Sequence, residues 1–474
     1  MKNFYDDLDR YGESIALITQ ESERVSYHAL AEAADELGGQ FGGRCLIFCL
    51  PRNDLGSVVG YLGALRSKVV PILVSPDIHP DFLSKLIAAY SPKYIWLPKN
   101  NLFALDECVS IYTYGGYDLL KMPYSIDYPL HENLGQLLTT SGSTGSPKLV
   151  RQSYINVNNN AHSIAQYLKI DKSHRPITTL PMSYTYGLSI ITSHLLCGCT
   201  IILNNHTLME KSFWEMLKSH AATTFGGVPY MYEMLKKLRF SRMVLPSLRV
   251  LTQAGGKLSK DIAEEFASIC NAKDISFVIM YGQTEATARM SFLPSEYSKS
   301  KSTSIGIPIP GGNFWLEDEN GEVISEPNIV GELLYRGLNV CMGYSLGFSD
   351  LYKGDEMNNV LRTGDMATRD EDGFYYVVGR KARFLKLFGK RISLDEAEQL
   401  LRGAGFECVC SGRDDKMNIY LVGAEYPLEA IRIIVESTGI PSAGFQVISV
   451  DCLPRNEAGK ILYERLEQDI SSKS

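Results

Sequence analysis

Cys45-Leu46-Ile47-Phe48-Cys49-Leu50, a stretch of helical period over 54–66, Val69-Val70-Pro71-Ile72-Leu73-Val74, a second such stretch over 80–90, and Tyr94-Ile95-Trp96-Leu97 stand in direct succession. Apolar runs this short, bounded by turn residues, read as buried strands, and the longer segments between them as crossover helices. The order is βαβαβ. The rhythm returns after residue 150, with strands expected over 177–180, 200–203, 223–225, 249–252 and 275–280. Such alternation implies an α/β fold of parallel-rich sheets covered by helices on both faces.

From about Ser304 the character changes. Gly and Pro become frequent, and short alternating runs at 332–336 and 373–378 predict a smaller β-rich subdomain. A domain boundary is expected at the basic stretch Arg380-Lys381-Ala382-Arg383, after which 392–401 reads as a helix with Ser393 as its cap. The expected organisation is a large N-terminal domain over 1–379 and a small α/β domain over 380–474. A chain of 474 residues can build cores of that size without covalent staples.

Lys and Arg total 47 against 54 Asp and Glu, a net charge of −7, which opposes nucleic acid as the partner. The opening segment MKNFYDDLDR carries acids where a secretory signal needs a basic end and an apolar core, and no apolar run reaches about 18 residues. A cytoplasmic protein without a membrane span is expected. The ten Cys are scattered. Cys197/Cys199 and Cys408/Cys410 lack a second ligand pair at zinc spacing, so they read as reduced core thiols. His162, His174, His194 and His206 fit no metal spacing either and read as structural or surface residues.

The segment richest in chemistry is Leu138-Thr139-Thr140-Ser141-Gly142-Ser143-Thr144-Gly145-Ser146-Pro147-Lys148, leading toward a helix that begins near Tyr154. Glycines let backbone amides face an anion, while hydroxyls and one Lys add donors. The spacing is not that of a Walker A loop. By composition alone the segment reads either as a phosphate cradle or as a Ser/Gly linker. Tyr281-Gly282-Gln283-Thr284-Glu285-Ala286 follows directly on the strand expected at 275–280, and ligands gather at such strand ends. Tyr281 could stack a base, Thr284 donate to a phosphate and Glu285 hold a hard cation. An ordinary strand-to-helix turn would read the same way. Gln253-Ala254-Gly255-Gly256 offers a second glycine turn after the preceding strand.

These segments, in their order and spacing, resemble the adenylate-forming superfamily of acyl-CoA synthetases, luciferases and peptide-synthetase adenylation domains. The resemblance spans nearly the whole chain. It extends through Gly331 to Gly337, Arg362-Thr363-Gly364-Asp365, Gly379-Arg380, the stretch from Lys386 through Gly389 to Ile392 with Glu396 and Glu398, and Pro454 to Lys460.

The resemblance implies two half-reactions: a carboxylate attacks the α-phosphate of ATP and expels pyrophosphate, then the thiol of coenzyme A or of a carrier-protein phosphopantetheine displaces AMP. It assigns Thr140, Ser141, Gly142, Ser143, Thr144, Gly145 and Lys148 to the β- and γ-phosphates and Thr284 to the α-phosphate. It puts Glu285 on magnesium, Tyr281 with Gly282 on adenine, and Gly255 and Gly256 around the nucleotide. Asp365 would accept from the ribose hydroxyls and Arg380 would contact ribose or phosphate. Lys460, carried by a mobile C-terminal domain, would bridge carboxylate and α-phosphate; Lys386 and Gly389 fall on the thiol-acceptor side. Ala382 departs from the Asp or Lys that relatives often place at the hinge.

By the same resemblance Tyr184, Tyr186, Gly187, Phe225, Gly226 and Ala254 line the pocket for a small-molecule carboxylic acid. Relatives that activate α-amino acids place an Asp in the first of these segments, but residues 181–190 contain no acid. An ammonium buried there would lack a counterion, which disfavours α-amino acids. The two Tyr suit an aromatic, hydroxylated or medium acyl group, or are core residues. A Rossmann dehydrogenase is a poor rival, because Gly38, Gly39, Gly42 and Gly43 precede a strand rather than follow one. The other rival is a catalytically silent relative that binds an adenylate or a partner.

Overall fold

The structure, a computed structural model, describes the chain apart from residues 1–2, 102, 104–106, 140–147, 389, 414, 424–426, 456–460, 464 and 467–474. It divides into two compact units, the first comprising residues 1–313 and 336–361 and the second 314–335 and 362–474.

The first unit is organised by the segment spanning 45–97. Strands Leu46–Cys49, Val70–Leu73 and Tyr94–Pro98 alternate with helices Leu55–Arg66 and Pro80–Tyr90. The strands pair in parallel at the centre of an eight-stranded sheet, with Leu134–Thr139 beside Val70–Leu73. Successive side chains point to opposite faces. Leu46, Phe48, Ile72 and Ile95 share a core with Leu83 and Leu86 of the helix Pro80–Tyr90. Ile47, Cys49, Leu73 and Trp96 share another with Leu30 and Leu37 of the helix Tyr27–Gly38, and with Val58 and Leu62 of Leu55–Arg66. Both faces being apolar is why these strands read as unbroken hydrophobic runs. Gly60 lets the helix Leu55–Arg66 lie against the sheet, since a Cβ there would fall 2.2 Å from the Trp96 indole. Trp96 Nε1 in turn donates to the Gly56 carbonyl at 2.8 Å.

A five-stranded sheet holds the chemistry-bearing turns. Thr224–Gly227, Val250–Gln253 and Ser276–Tyr281 run parallel, so their C-terminal ends, followed by Val228, Ala254 and Gly282, open on one edge. Ser291–Leu293 returns antiparallel, pairing Ser291 with Tyr281. The run 177–180 makes only isolated bridging contacts, Pro176 to Thr224 and Ile177 to Ile202. Prolines at 176 and 181 remove two backbone donors, and Asn204 satisfies the Thr178 carbonyl and hydroxyl instead of a strand neighbour.

Asn313–Glu317, Gly331–Arg336, Val360–Arg369 and Tyr375–Arg380, most of whose residues belong to the second unit, form a four-stranded sheet in that order. The expected boundary at Arg380 falls at the end of its last strand, within this unit. The helix expected from 392 begins at Leu394, because residues 390–393 pair with 384–387 as a short hairpin. Glu398, on that helix, is buried and accepts from Arg383, from Arg402 at 3.0 Å and from the Cys410 amide at 2.8 Å. All ten cysteines are free thiols; six are buried, whereas Cys452 is exposed in the loop after strand Phe445–Val450. Among the described residues no group of His, Cys, Asp and Glu is arranged to hold a metal by itself, and no helix is long and apolar enough to cross a membrane.

Candidate active site

The turn after strand Ser276–Tyr281 is held from several directions. Gly282 must lack a side chain, because a Cβ would fall 1.6 Å from the Ala288 carbonyl oxygen where the loop closes on itself. Thr284–Ala286 form one 3-10 turn. Thr287 at φ 57° and Ala288 at φ 117° then adopt conformations that L-residues rarely take. The surroundings over-determine this strained path. Gln152 Nε2 donates to the Thr284 carbonyl at 2.7 Å, Asn339 Nδ2 to the carbonyls of Ala286 and Arg289 at 2.8 and 3.0 Å, and Asn160 Nδ2 to that of Arg289 at 2.9 Å. Thr287 Oγ1 donates to the Asn339 carbonyl at 2.7 Å. Asn160 is positioned by the helix Tyr154–Tyr167, which starts where the sequence places it, on a capping box between Ser153 and Asn156.

Glu285, half-buried, accepts from the Tyr344 hydroxyl at 3.0 Å. The Lys148 ammonium lies 3.6 Å from the centroid of the same Tyr344 ring. Lys148, at the exit of the Ser/Thr/Gly segment, and Glu285 are thus brought together through a tyrosine that sequence reasoning passed over. Burial, with help from the Glu285 charge, pushes the Tyr344 phenol well above its ordinary range, so it stays a donor. Tyr344 sits in strand Gly343–Ser345, paired with Leu149–Ser153, so the residue after Lys148 is in register with the residue after Tyr344. Tyr281 is half-buried and accepts from Gln283 Nε2 at 3.2 Å.

Beside this turn lie the residues expected to line the acid pocket. The Tyr186 hydroxyl hydrogen-bonds Thr252 Oγ1 at 2.8 Å and would be 2.6 Å from a Cβ on Gly226. The Tyr184 hydroxyl would be 2.5 Å from a Cβ on Gly255, which is at φ +86°. Burial pushes the Tyr184 phenol up to about 12. Tyr184, Tyr186 and Ala254 pack in one cluster with Val228 and Met280. Gly187 sits in the first turn of the helix Thr185–Leu196, where a Cβ would meet the Pro181 carbonyl at 2.3 Å. Gly256 accepts from Gln253 Nε2 at 2.9 Å, closing the second glycine turn. Phe225 is not brought into this group: it alternates with Gly226 on its strand and packs edge-on against Phe213.

In the second unit, considered by itself, Asp365 is buried and its Oδ1 lies 3.1 Å from Arg380 Nε; the two residues face each other across adjacent strands. Lys386 is in the strand Phe384–Leu387. Thr140, Ser141, Gly142, Ser143, Thr144, Gly145, Gly389 and Lys460 lie outside the described residues.

Comparison with known proteins bears on this arrangement. The model of the AMP-binding enzyme family matches residues 4–345. The 2-succinylbenzoate–CoA ligase of Bacillus licheniformis is 29% identical over 350 residues, 71% of this chain and 70% of that protein. The oxalate–CoA ligase of Arabidopsis thaliana is 30% identical over 277 residues, covering 57% of this chain and 53% of the relative. Among solved structures, the o-succinylbenzoate CoA synthetase of Bacillus subtilis in complex with its acyl-adenylate intermediate superposes with a TM-score of 0.80 at 23% identity, over 98% of both chains. ATP-bound MatB from Rhodopseudomonas palustris gives 0.78 at 18% identity over 99% of both. A family model matched over most of the length, on a chain with this fold, places it: the chain belongs to the AMP-binding enzymes, the adenylate-forming superfamily its motifs resemble, and is an AMP-forming acid–thiol ligase.

Proposed function

We propose that the enzyme activates a small carboxylic acid with ATP, releasing pyrophosphate, and passes the acyl group from the adenylate to the thiol of coenzyme A. The observation that supports this reading best is the clamped 282–289 turn. Glu285 meets Lys148 through the Tyr344 ring, and Arg289, at the end of the turn, lies over Tyr186 of the Tyr184–Tyr186 cluster.

In this reading Thr284 contacts the α-phosphate, Lys148 and the hydroxyl-rich segment before it contact the outer phosphates, and Tyr281 stacks on adenine. Glu285 suits a hard cation: one oxygen accepts from Tyr344, and a carboxylate keeps further lone pairs for an ion that prefers oxygen. Bound there with ATP, magnesium would neutralise phosphate charge. Asp365 accepts from the ribose hydroxyls, and Arg380, its present partner, contacts ribose or phosphate.

Lys460 then answers an electrostatic problem. Two unit anions about 4 Å apart repel by ~4 kcal/mol at an effective dielectric near 20, so the attacking carboxylate needs a cation between itself and the α-phosphate. After adenylation the thiol attacks the acyl carbon and AMP leaves with the electron pair of the mixed-anhydride bond. A carrier-protein phosphopantetheine is the alternative acceptor, and the cytoplasm is the proposed location.

Mass spectrometry of reactions containing ATP, magnesium and an acid panel tests the proposal. An acyl-adenylate without added thiol, converted to a thioester when coenzyme A is added, is the expected result. Tight ATP binding with no adenylate from any acid would favour the silent relative, and thioester formed only on a carrier protein would replace the acceptor.

A further inference from the structure

Arg289 follows the strained Ala288, and it is 2% exposed. Its guanidinium makes four polar contacts, all with neutral atoms. Nε and Nη2 donate to Ser189 Oγ at 3.2 and 3.0 Å, and Nη1 donates to the Tyr167 hydroxyl at 3.1 Å and approaches Met280 Sδ at 2.8 Å. The guanidinium lies over the Tyr186 ring, with Cζ 4.7 Å from its centroid. No carboxylate among the described residues pairs with it.

An arginine in that state is costly. A buried charge loses its hydration, and dipoles alone repay only part of it. Arg151, buried to a similar depth in the same unit, behaves as expected, because it is ion-paired with Glu356. A methionine in place of Arg289 would fill similar volume without the charge. The fold nevertheless fixes Arg289 by locking its backbone carbonyl to Asn160 and Asn339. A planar fork of donors held rigidly beside aromatic rings has the chemistry that suits an anion.

Its surroundings say where that anion comes from. The guanidinium stacks on Tyr186, whose hydroxyl reaches the glycine gap at Gly226, and its positive charge acts on the phenol of Tyr184, whose hydroxyl covers Gly255. These are the residues read as the acid pocket, and Thr284 precedes Arg289 on the same clamped turn. We infer that the acid this enzyme activates carries a second carboxylate, at the end remote from the one that is adenylated, and that Arg289 is its counterion. This rests on the acid-activating reading of the site. An aromatic or aliphatic acid ending in a neutral tail would leave the arginine unpaired; a dicarboxylic acid completes it. Arg289 is therefore a specificity-determining residue and takes no part in the bond-making.

Matched probes test the inference. Malonate, succinate, glutarate and phthalate are each compared with their half-amide, which keeps length and shape but removes the second charge, in acid-dependent ATP–pyrophosphate exchange. The expected result is that at least one diacid exceeds its half-amide roughly a hundredfold in kcat/KM. Arg289→Gln should collapse that ratio toward one, and Arg289→Lys should restore part of it, which a merely structural arginine would not do. Half-amides or monocarboxylic acids used as well as the diacids, or better, by the unaltered enzyme would overturn the inference while leaving acid activation standing. Exchange with no acid of either kind would remove the acid-activating reading and this inference with it. Should Arg289→Gln fail to fold, judged by loss of ATP binding, the ratio measured on the unaltered enzyme decides alone.

Discussion

The Tyr344 phenol donates to Glu285 Oε1 at 3.0 Å while the Lys148 ammonium rests 3.6 Å from the centre of the same ring. One side chain therefore orients the proposed cation ligand with its hydroxyl and the proposed phosphate ligand with its face. Tyr344→Phe keeps the ring and deletes the donor. A hydrogen bond to a charged group contributes about 1.5–3 kcal/mol, so the magnesium concentration needed for half-maximal exchange should rise roughly tenfold or more, with ATP affinity in the absence of metal little changed. An unchanged magnesium requirement would remove Tyr344 from the site.

Gly226 and the Tyr186 hydroxyl are matched in shape. Gly226→Ala drives a methyl to 2.6 Å from that hydroxyl and 3.0 Å from Thr252 Oγ1, and Tyr186 cannot retreat because Arg289 packs on its ring. Overpacking of this kind costs about 1–3 kcal/mol. The expected outcome is a lower unfolding midpoint and a raised KM for the acid. Tyr186→Phe should recover part of the loss in the Gly226→Ala background while being unfavourable in the natural one, so a double-mutant cycle should show clear coupling.

His194 is fully buried in the helix Thr185–Leu196. Its Nδ1 lies 2.7 Å from the Ile190 carbonyl, and its Nε2 has no hydrogen-bond partner among the described residues. Burial first, and then the nearby His174 and Arg289 charges, lower its pKa from 6.5 to about 3. Below pH 6.5 the unfolded chain takes up a proton that the folded chain refuses. The stability tied to neutral His194 is thus complete above pH 6.5 and is lost as pH falls from there toward 3. At about pH 5 the loss amounts to about 2 kcal/mol. Chemical denaturation at about pH 7.5 and about pH 5 should show it, and His194→Leu should flatten the difference even if it lowers stability at both values.

Lys460 lies outside the described residues, and its role rests on the resemblance alone. Removing a donor aimed at transition-state charge typically costs about 2.7–4 kcal/mol, a hundred- to a thousandfold. Lys460→Ala should lose adenylation to that extent yet still convert a supplied acyl-adenylate to the thioester. Equal loss of both steps would refute a lysine used in the first half-reaction only.

The sequence was most legible where one periodicity governed both faces of an element. The 45–97 segment yields its three strands and two helices within a residue or two at each end, because parallel strands buried on both faces leave unbroken apolar runs. The run 177–180 looked the same and is not a strand; its flanking prolines and the side chain of Asn204 decide the matter, and periodicity does not register either. The glycine turns of the candidate site were legible as tight turns, since Gly282 and Gly255 occupy positions where a Cβ has no room.

Arg289 and Tyr344 were not legible as candidate site residues. Tyr344 reaches Glu285 across 59 positions of sequence, through a strand pairing that no local pattern announces. Arg289 stands between Ala288 and Met290, where a charge between two apolar neighbours could have raised the question of its partner. What that charge faces depends on Ser189 and Tyr167, 100 and 122 residues earlier.

Acid-dependent exchange of labelled pyrophosphate into ATP is the decisive measurement of adenylate formation. The expected exchange requires magnesium and a carboxylic acid together, needs no thiol, and is lost in Glu285→Gln. Exchange that proceeds without an acid, or ATP consumed to ADP and phosphate with no pyrophosphate formed, would contradict it.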